Sequence, residues 1–143
     1  MRIGEVMTRS VETARPGDAA GEAWERMRAR KFHHLVVVDG RTVVGVVSER
    51  DLGGRAGASV REGRTVGDLM SRGVHTARPD DTIKAAANKL RGHSLGCLPV
   101  MEKGRLVGLL TISDVLELVG RGSERPVERG KRYTLRNRGP KRG

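Results

Sequence analysis

Aromatic residues are almost missing: Trp24, Phe32 and Tyr133 are the only three in 143 residues. A core must therefore be built from Val, Leu, Ala, Ile and Met, the larger of which contribute roughly 1.5–3 kcal/mol each on full burial. A single cysteine, Cys97, excludes an internal disulfide and suits a reducing compartment. No apolar run approaches the ~18 residues of a membrane span, so no membrane partner is expected. The start, Met1-Arg2-Ile3-Gly4-Glu5-Val6, has an early glutamate and no apolar stretch, and does not read as a signal peptide. Together these features predict a cytoplasmic protein. Catalytic patterns are scarce as well. There is no nucleophile with a local base and no Gly-rich phosphate loop of the Walker or dinucleotide type. An enzyme is not expected.

Charge of one sign is abundant. The formal net charge is +11. Residues 121–143 carry nine Lys/Arg against Glu124 and Glu128, nine minus two or +7, leaving +4 for residues 1–120. This basic tail is poor in apolar residues and lacks periodicity, so it is expected to be disordered in isolation.

The rest of the chain repeats itself. A shift of 63 places Ile3-Gly4-Glu5-Val6-Met7 on Val66-Gly67-Asp68-Leu69-Met70, and Thr13-Ala14-Arg15-Pro16 on the identical Thr76-Ala77-Arg78-Pro79. Leu35-Val36-Val37 falls on Leu98-Pro99-Val100, Val44-Gly45 on Val107-Gly108, and Asp51 on Asp114. Sixteen of the 50 positions from 3 to 52 are identical, without a gap. Neither copy of about 50 residues buries enough surface to be comfortable alone, whereas two packed together do.

Each copy has the same internal order. Ala20, Ala23, Trp24 and Met27, and likewise Ile83, Ala86, Ala87 and Leu90, follow the spacing of a helix with one buried face. A preceding Pro-Gly-Asp turn, or Asp80-Asp81-Thr82, supplies the helix start. Two short Val-rich runs follow (35–38 and 42–47; 98–101 and 105–110), joined by a tight turn, and read as a buried hairpin. Ser48 and Asp51, like Thr111 and Asp114, place a carboxylate three residues after a hydroxyl, which predicts a short helix at each site. The unit is strand, helix, strand, strand, helix, an α/β fold. Residues 1–55 form the first copy, 56–65 a linker, 66–120 the second copy and 121–143 the tail.

This arrangement resembles a tandem pair of CBS domains, the Bateman module. The likeness rests on the Val-Met-Thr/Ser-Arg start, the Thr-Ala-Arg-Pro-x-Asp step, the Leu-Pro-Val stretch and the closing Gly-apolar-apolar-Ser/Thr-x-x-Asp, and covers residues 3–119. It implies two pseudo-symmetric repeats with small mixed sheets packed against helices, often a homodimer. It further implies a regulatory module that senses an adenosine compound (AMP, ADP, ATP or S-adenosylmethionine) in clefts between the copies. Carried over by position, Asp51 and Asp114 match the ribose-binding carboxylate, and Ser48 and Thr111 the hydroxyl facing the ligand's polar edge. Val11, Thr13 and Val36, with Val74, Thr76 and Pro99, match the adenine wall. His33 and Arg50 stand where a cation meets phosphate. In the second copy Gly96 replaces His33 and Ser113 replaces Arg50, so the two clefts are expected to differ.

Plainer roles compete. Asp51 and Asp114 suit helix-capping carboxylates contributing about 1 kcal/mol each. His33 and His34 suit a half-exposed strand start, Cys97 a small buried residue, and Trp24 the core or a dimer interface. His33, His34, His93 and Cys97 lack metal-site spacing, and no metal is expected. The tail offers the main alternative function: a nucleic-acid interaction protein, with phosphate contacts from residues 121–143 and one base stacked on Tyr133, on a dimeric platform. An acidic protein partner for the tail, or a merely solvated extension, remains beside it.

Overall fold

The computed structural model describes residues 1–122; the expected disorder and partners of the tail fall almost wholly on residues outside that range. The first copy holds a 3₁₀ turn (Ile3–Glu5), β1 (Thr13–Ala14), α1 (Ala20–Arg30), β2 (His34–Asp39) and β3 (Thr42–Ser48). The intervening stretch forms α2 (Ala58–Arg61), and the second copy holds α3 (Val66–Leu69), α4 (Ile83–Gly92), β4 (Cys97–Glu102), β5 (Arg105–Thr111) and α5 (Ile112–Gly122). Strands β1, β2 and β3 form one sheet, with β1 parallel to β2, and β4 and β5 pair antiparallel in another.

The periodic apolar positions face inward as their spacing predicts: Ala20, Ala23, Trp24 and Met27 are buried on α1, and Ala86 and Leu90 on α4. α1 stops on left-handed Lys31 (φ 61°), while α4 is capped by His93 (φ −110°) and the left-handed residue, Ser94 (φ 54°), follows it; each turns the chain toward the next strand. The second hairpin turns on Lys103 and Gly104, both at positive φ, the geometry that suits the strand twist.

The copies exchange their opening segments. Val66, Leu69 and Met70 pack in the core of the first copy with Met27, Leu35 and Leu52. Conversely, Ile3, Val6 and Met7 pack in the second with Leu90, Leu98 and Leu110. Backbone bonds repeat the exchange: Ile3 N–H donates to the Asp81 carbonyl and Gly4 N–H to Pro79, while Val66 N–H donates to Asp18 and Gly67 N–H to Pro16, all at 2.8–2.9 Å. A third cluster, Val36, Cys97 and Leu109 with Val11 and Val46 beside them, joins the two sheets.

Two elements differ from the repeated unit. No helix follows Asp51; residues 49–53 form turns. Gly53 (φ 94°) and Gly54 (φ 65°) take positive φ, which ends helical winding, whereas Val115-Leu116-Glu117-Leu118 propagates α5 in the second copy. The expected linker instead contains α2. Its Arg61 donates from Nη1 to the Leu52 and Gly54 carbonyls at 2.7 and 2.8 Å and lies 4.3 Å above the Trp24 ring. The second difference is the first strand of the second copy, reduced to a single bridge between Ala77 and Val100. In the first copy Val36 N–H donates to the Glu12 carbonyl; its equivalent, Pro99, has no N–H to give.

Candidate functional site

The hydroxyl–carboxylate pairs close as reciprocal caps in both copies. Ser48 N–H donates to Asp51 Oδ2 at 2.9 Å, and Asp51 N–H to Ser48 Oγ at 3.1 Å. Thr111 N–H donates to Asp114 Oδ2 at 2.9 Å, and Asp114 N–H to Thr111 Oγ1 at 3.0 Å. In copy two the pair starts α5; in copy one it braces a turn. Each cap engages one carboxylate oxygen. The Asp51 Oδ1 takes no hydrogen bond from the described residues, while Asp114 Oδ1 faces the Thr8 hydroxyl at 3.5 Å.

Asp51 borders a cavity of about 920 Å³, within the range of small-molecule sites. Of the candidates read from the sequence, His33, Ser48, Arg50 and Asp51 of the first copy meet Val74 of the second there. The exchanged packing explains this partnership. Ser71 pairs with Val46 in both backbone directions, at 2.9 and 3.1 Å, and so brings Gly73, Val74 and His75 to the mouth of the first copy's closing turn. Gly45 permits that approach: a Cβ there would stand 2.8 Å from the Ser71 carbonyl.

The other candidates lie elsewhere. Val36 and Pro99 are fully buried, so neither offers a wall to a ligand. Thr13 and Thr76 are exposed, and their carbonyls accept from Arg26 and Lys89 respectively, the same bond in both copies. Val11 packs in the cluster between the sheets, and Thr111 and Asp114 sit at the base of α5, beside Thr8. Sequence reasoning missed Val46, Ser71, His75, Leu95 and Ile112 at the Asp51 cavity. Residues 71 and 75 adjoin the named Val74, but only the exchange between copies puts them opposite Asp51.

Electrostatics in the cleft are mixed. His33 Nδ1 lies 3.1 Å from Glu49 Oε1. Burial, and then the neighbouring His33, hold His34 below the ordinary imidazole range, against the pull of Asp51 and Glu49. The His34 ring also fills the space beside Gly96, the equivalent of His33, where a Cβ would come within 2.6 Å of its Nε2. Burial, with Asp51 adding to it, pushes the Cys97 thiol up to about 12. Among the described residues, no group of three or more His, Cys, Asp or Glu is placed to hold a metal ion, and no helix is long and apolar enough to cross a membrane.

Comparison with known proteins gives the same architecture. The chain is 35% identical over 120 residues to a homoserine O-acetyltransferase of Methanococcoides burtonii, covering 82% of this chain but 24% of that protein. It therefore spans about a quarter of the acetyltransferase's length. Among solved structures, CBSX2 from Arabidopsis thaliana in complex with AMP aligns with a TM-score of 0.72 at 29% identity, covering 85% of this chain and 98% of that one. The CBS domain pair of protein MJ0100, in complex with 5'-methylthioadenosine and S-adenosyl-L-methionine, aligns with a TM-score of 0.76 at 25% identity over 85% and 98% of the two chains. The model of the CBS domain matches twice, at residues 3–52 and 66–121; the 63-residue shift superimposes the first stretch on 66–115 of the second. The chain belongs to the CBS domain family, as a tandem pair.

Proposed function

We propose that this chain is a regulatory module that binds an adenosine compound in the cleft beside Asp51. The observation that carries the reading is the Asp51 carboxylate: its Oδ2 is fixed by Ser48 N–H, and Oδ1 takes no bond from the described residues at the edge of the cavity. A carboxylate so held accepts from the vicinal hydroxyls of a ribose. Val46, Val74, Leu95 and Ile112 offer an apolar wall for the base, and Ser48 a hydroxyl at the polar edge. The AMP and S-adenosyl-L-methionine complexes of the neighbouring structures support the ligand class.

The module catalyses nothing in this reading. Because the cleft takes its sides from both copies, a bound ligand biases how the copies sit against each other, and a partner reads that bias. Titration calorimetry with AMP, ADP, ATP and S-adenosylmethionine tests the proposal. Saturable heat with at least one is expected; no heat from any of the four refutes it.

A further inference from the structure

The closing turn of the first copy stops where that of the second becomes a helix. After Ser48 it makes a single round of bonds: Leu52 N–H to the Ser48 carbonyl, Gly53 N–H to Arg50 and Gly54 N–H to Glu49, at 2.9–3.2 Å. One isolated helical turn is the costly nucleus of a helix, with no propagation to offset it. Under the shift of 63, residues 52 and 54 correspond to Val115 and Glu117, which lie inside α5. There the two carbonyls meet N–H groups four residues further on. In the first copy no such N–H groups follow, because Gly53 and Gly54 turn the chain away at positive φ.

Arg61 takes their place. Its Nη1 donates to the Leu52 carbonyl at 2.7 Å and to the Gly54 carbonyl at 2.8 Å, the counterparts of carbonyls that α5 satisfies from within. The guanidinium rests 4.3 Å above the ring of Trp24, which is buried on α1. The equivalent of Trp24 is Ala87, so a ring able to carry a cation stands only in the copy whose helix is missing. α2 packs on α1 as α5 packs on α4. The stretch that bears it is tied at three further places: Gly57 N–H donates to the Gly54 carbonyl, Ala20 N–H at the start of α1 donates to the Arg64 carbonyl, and Val66 N–H donates to Asp18.

We propose that Arg61, on the stretch between the copies, is a positioning residue for Asp51. By holding both carbonyls on one nitrogen it stands in for the missing turns of helix and keeps the Ser48–Asp51 cap closed, with Asp51 at the cavity. Arg61 itself lies outside the cavity lining, and it acts through the turn. The second copy needs no such residue, since α5 carries Asp114. The connecting stretch thereby belongs to the site: a change in how α2 sits on α1 reaches the cleft through Asp51, and by linkage occupation of the cleft reaches α2. The ligand half of this inference rests on the reading given under Proposed function; the holding of the turn does not.

The test compares the full chain with Arg61→Met and Arg61→Lys. Arg28→Met serves as the control, since Arg28 approaches the same ring at 5.7 Å without a bond to the turn among the described residues. Amide hydrogen exchange is read first, without ligand. Arg61→Met is expected to speed exchange at Leu52, Gly53 and Gly54 by about tenfold more than at the strand amides of Val37 and Leu98, whose protection follows global stability. Calorimetry with AMP, ADP, ATP and S-adenosylmethionine comes second. Affinity is expected to fall about tenfold in Arg61→Met, and Arg61→Lys to restore it to within about threefold, because a single nitrogen makes both bonds. In a double-mutant cycle Asp51→Asn should cost less beside Arg61→Met than in the wild type, since a displaced carboxylate has less to lose; an Arg61 that merely adds stability gives additive losses. Exchange at residues 52–54 that is no faster in Arg61→Met overturns the proposal, as do additive losses in the cycle or an Arg28→Met chain that behaves like Arg61→Met. Faster exchange with no heat from any of the four compounds in the wild type keeps the hold on the turn and removes the ligand reading.

Discussion

The Thr8 hydroxyl lies 3.5 Å from Asp114 Oδ1, whereas its equivalent, Ser71, makes no such approach to Asp51. Two carboxylates matched by sequence and by their caps thus differ in the oxygen that a ligand would use. Asp51→Asn is expected to weaken binding of the adenosine compound about 10- to 100-fold, the worth of one charge-assisted hydrogen bond. Asp114→Asn should change it less than about threefold. Equal losses from the two variants in calorimetry would show that both clefts bind alike.

The exchanged segments make a second expectation. A Cβ on Gly45 would stand 2.5 Å from Met70 Sδ and 2.8 Å from the Ser71 carbonyl; one on Gly108 would stand 2.5 Å from Met7 Sδ and 3.1 Å from the Thr8 carbonyl. The sulfur atoms can move, but the carbonyls belong to the bridges that hold each segment on the opposite copy. Gly45→Ala and Gly108→Ala should each destabilise by about 1–3 kcal/mol, read from urea midpoints. Gly17→Ala, with nothing within 4 Å of the added carbon, serves as the control. A neutral Gly45→Ala contradicts the exchanged packing.

Much of this was legible beforehand, for identifiable reasons. The repeat, the buried faces of α1 and α4, the Val-rich strands and the hydroxyl–carboxylate caps are local patterns, and locality is what a sequence displays. The exchange was not, because Ile3-Val6-Met7 and Val66-Leu69-Met70 are equally apolar and suit either core. That one fact moved Val74 and His75 opposite Asp51 and left Val11 between the sheets. The missing helix after Asp51 was misread because the cap motif is present and correctly bonded, while Gly53 and Gly54 decide that nothing follows it.

Protonation of the cleft should register in stability. His34 is held below the usual imidazole value by burial, so the unfolded chain takes a proton first as pH falls. Its contribution is complete above about 6.5 and is lost as pH drops through the lower folded value. His34→Gln should flatten the dependence of the urea midpoint on pH between about 7 and about 5. Cys97 works in the other direction. With its thiol raised to about 12 in the fold, its contribution is present below the unfolded value of about 9 and fades as pH climbs toward 12. Alkylation of Cys97 at about pH 8 should accordingly wait for unfolding; rapid labelling of the folded chain would contradict its burial.

The last expectation concerns a second copy of the chain. Ile112, Leu116 and Val119 lie at i, i+4 and i+7 on α5, and are 45%, 62% and 62% exposed. A helical stripe of this kind is the feature an isologous two-fold contact covers, since the same face serves both partners. Light scattering is expected to give twice the mass of the chain. Leu116→Glu with Val119→Glu should halve it while leaving the far-ultraviolet dichroism intact; a wild-type monomer, or a dimer indifferent to both glutamates, would rule the interface out. Ile112 and Leu116 also border the Asp51 cavity. Ligand and second copy then act on the same helix, so the adenosine compound should shift the dimer dissociation constant, and by linkage dimerisation should shift ligand affinity by the same factor. Sedimentation with and without ligand, beside calorimetry at two protein concentrations, measures the two factors independently.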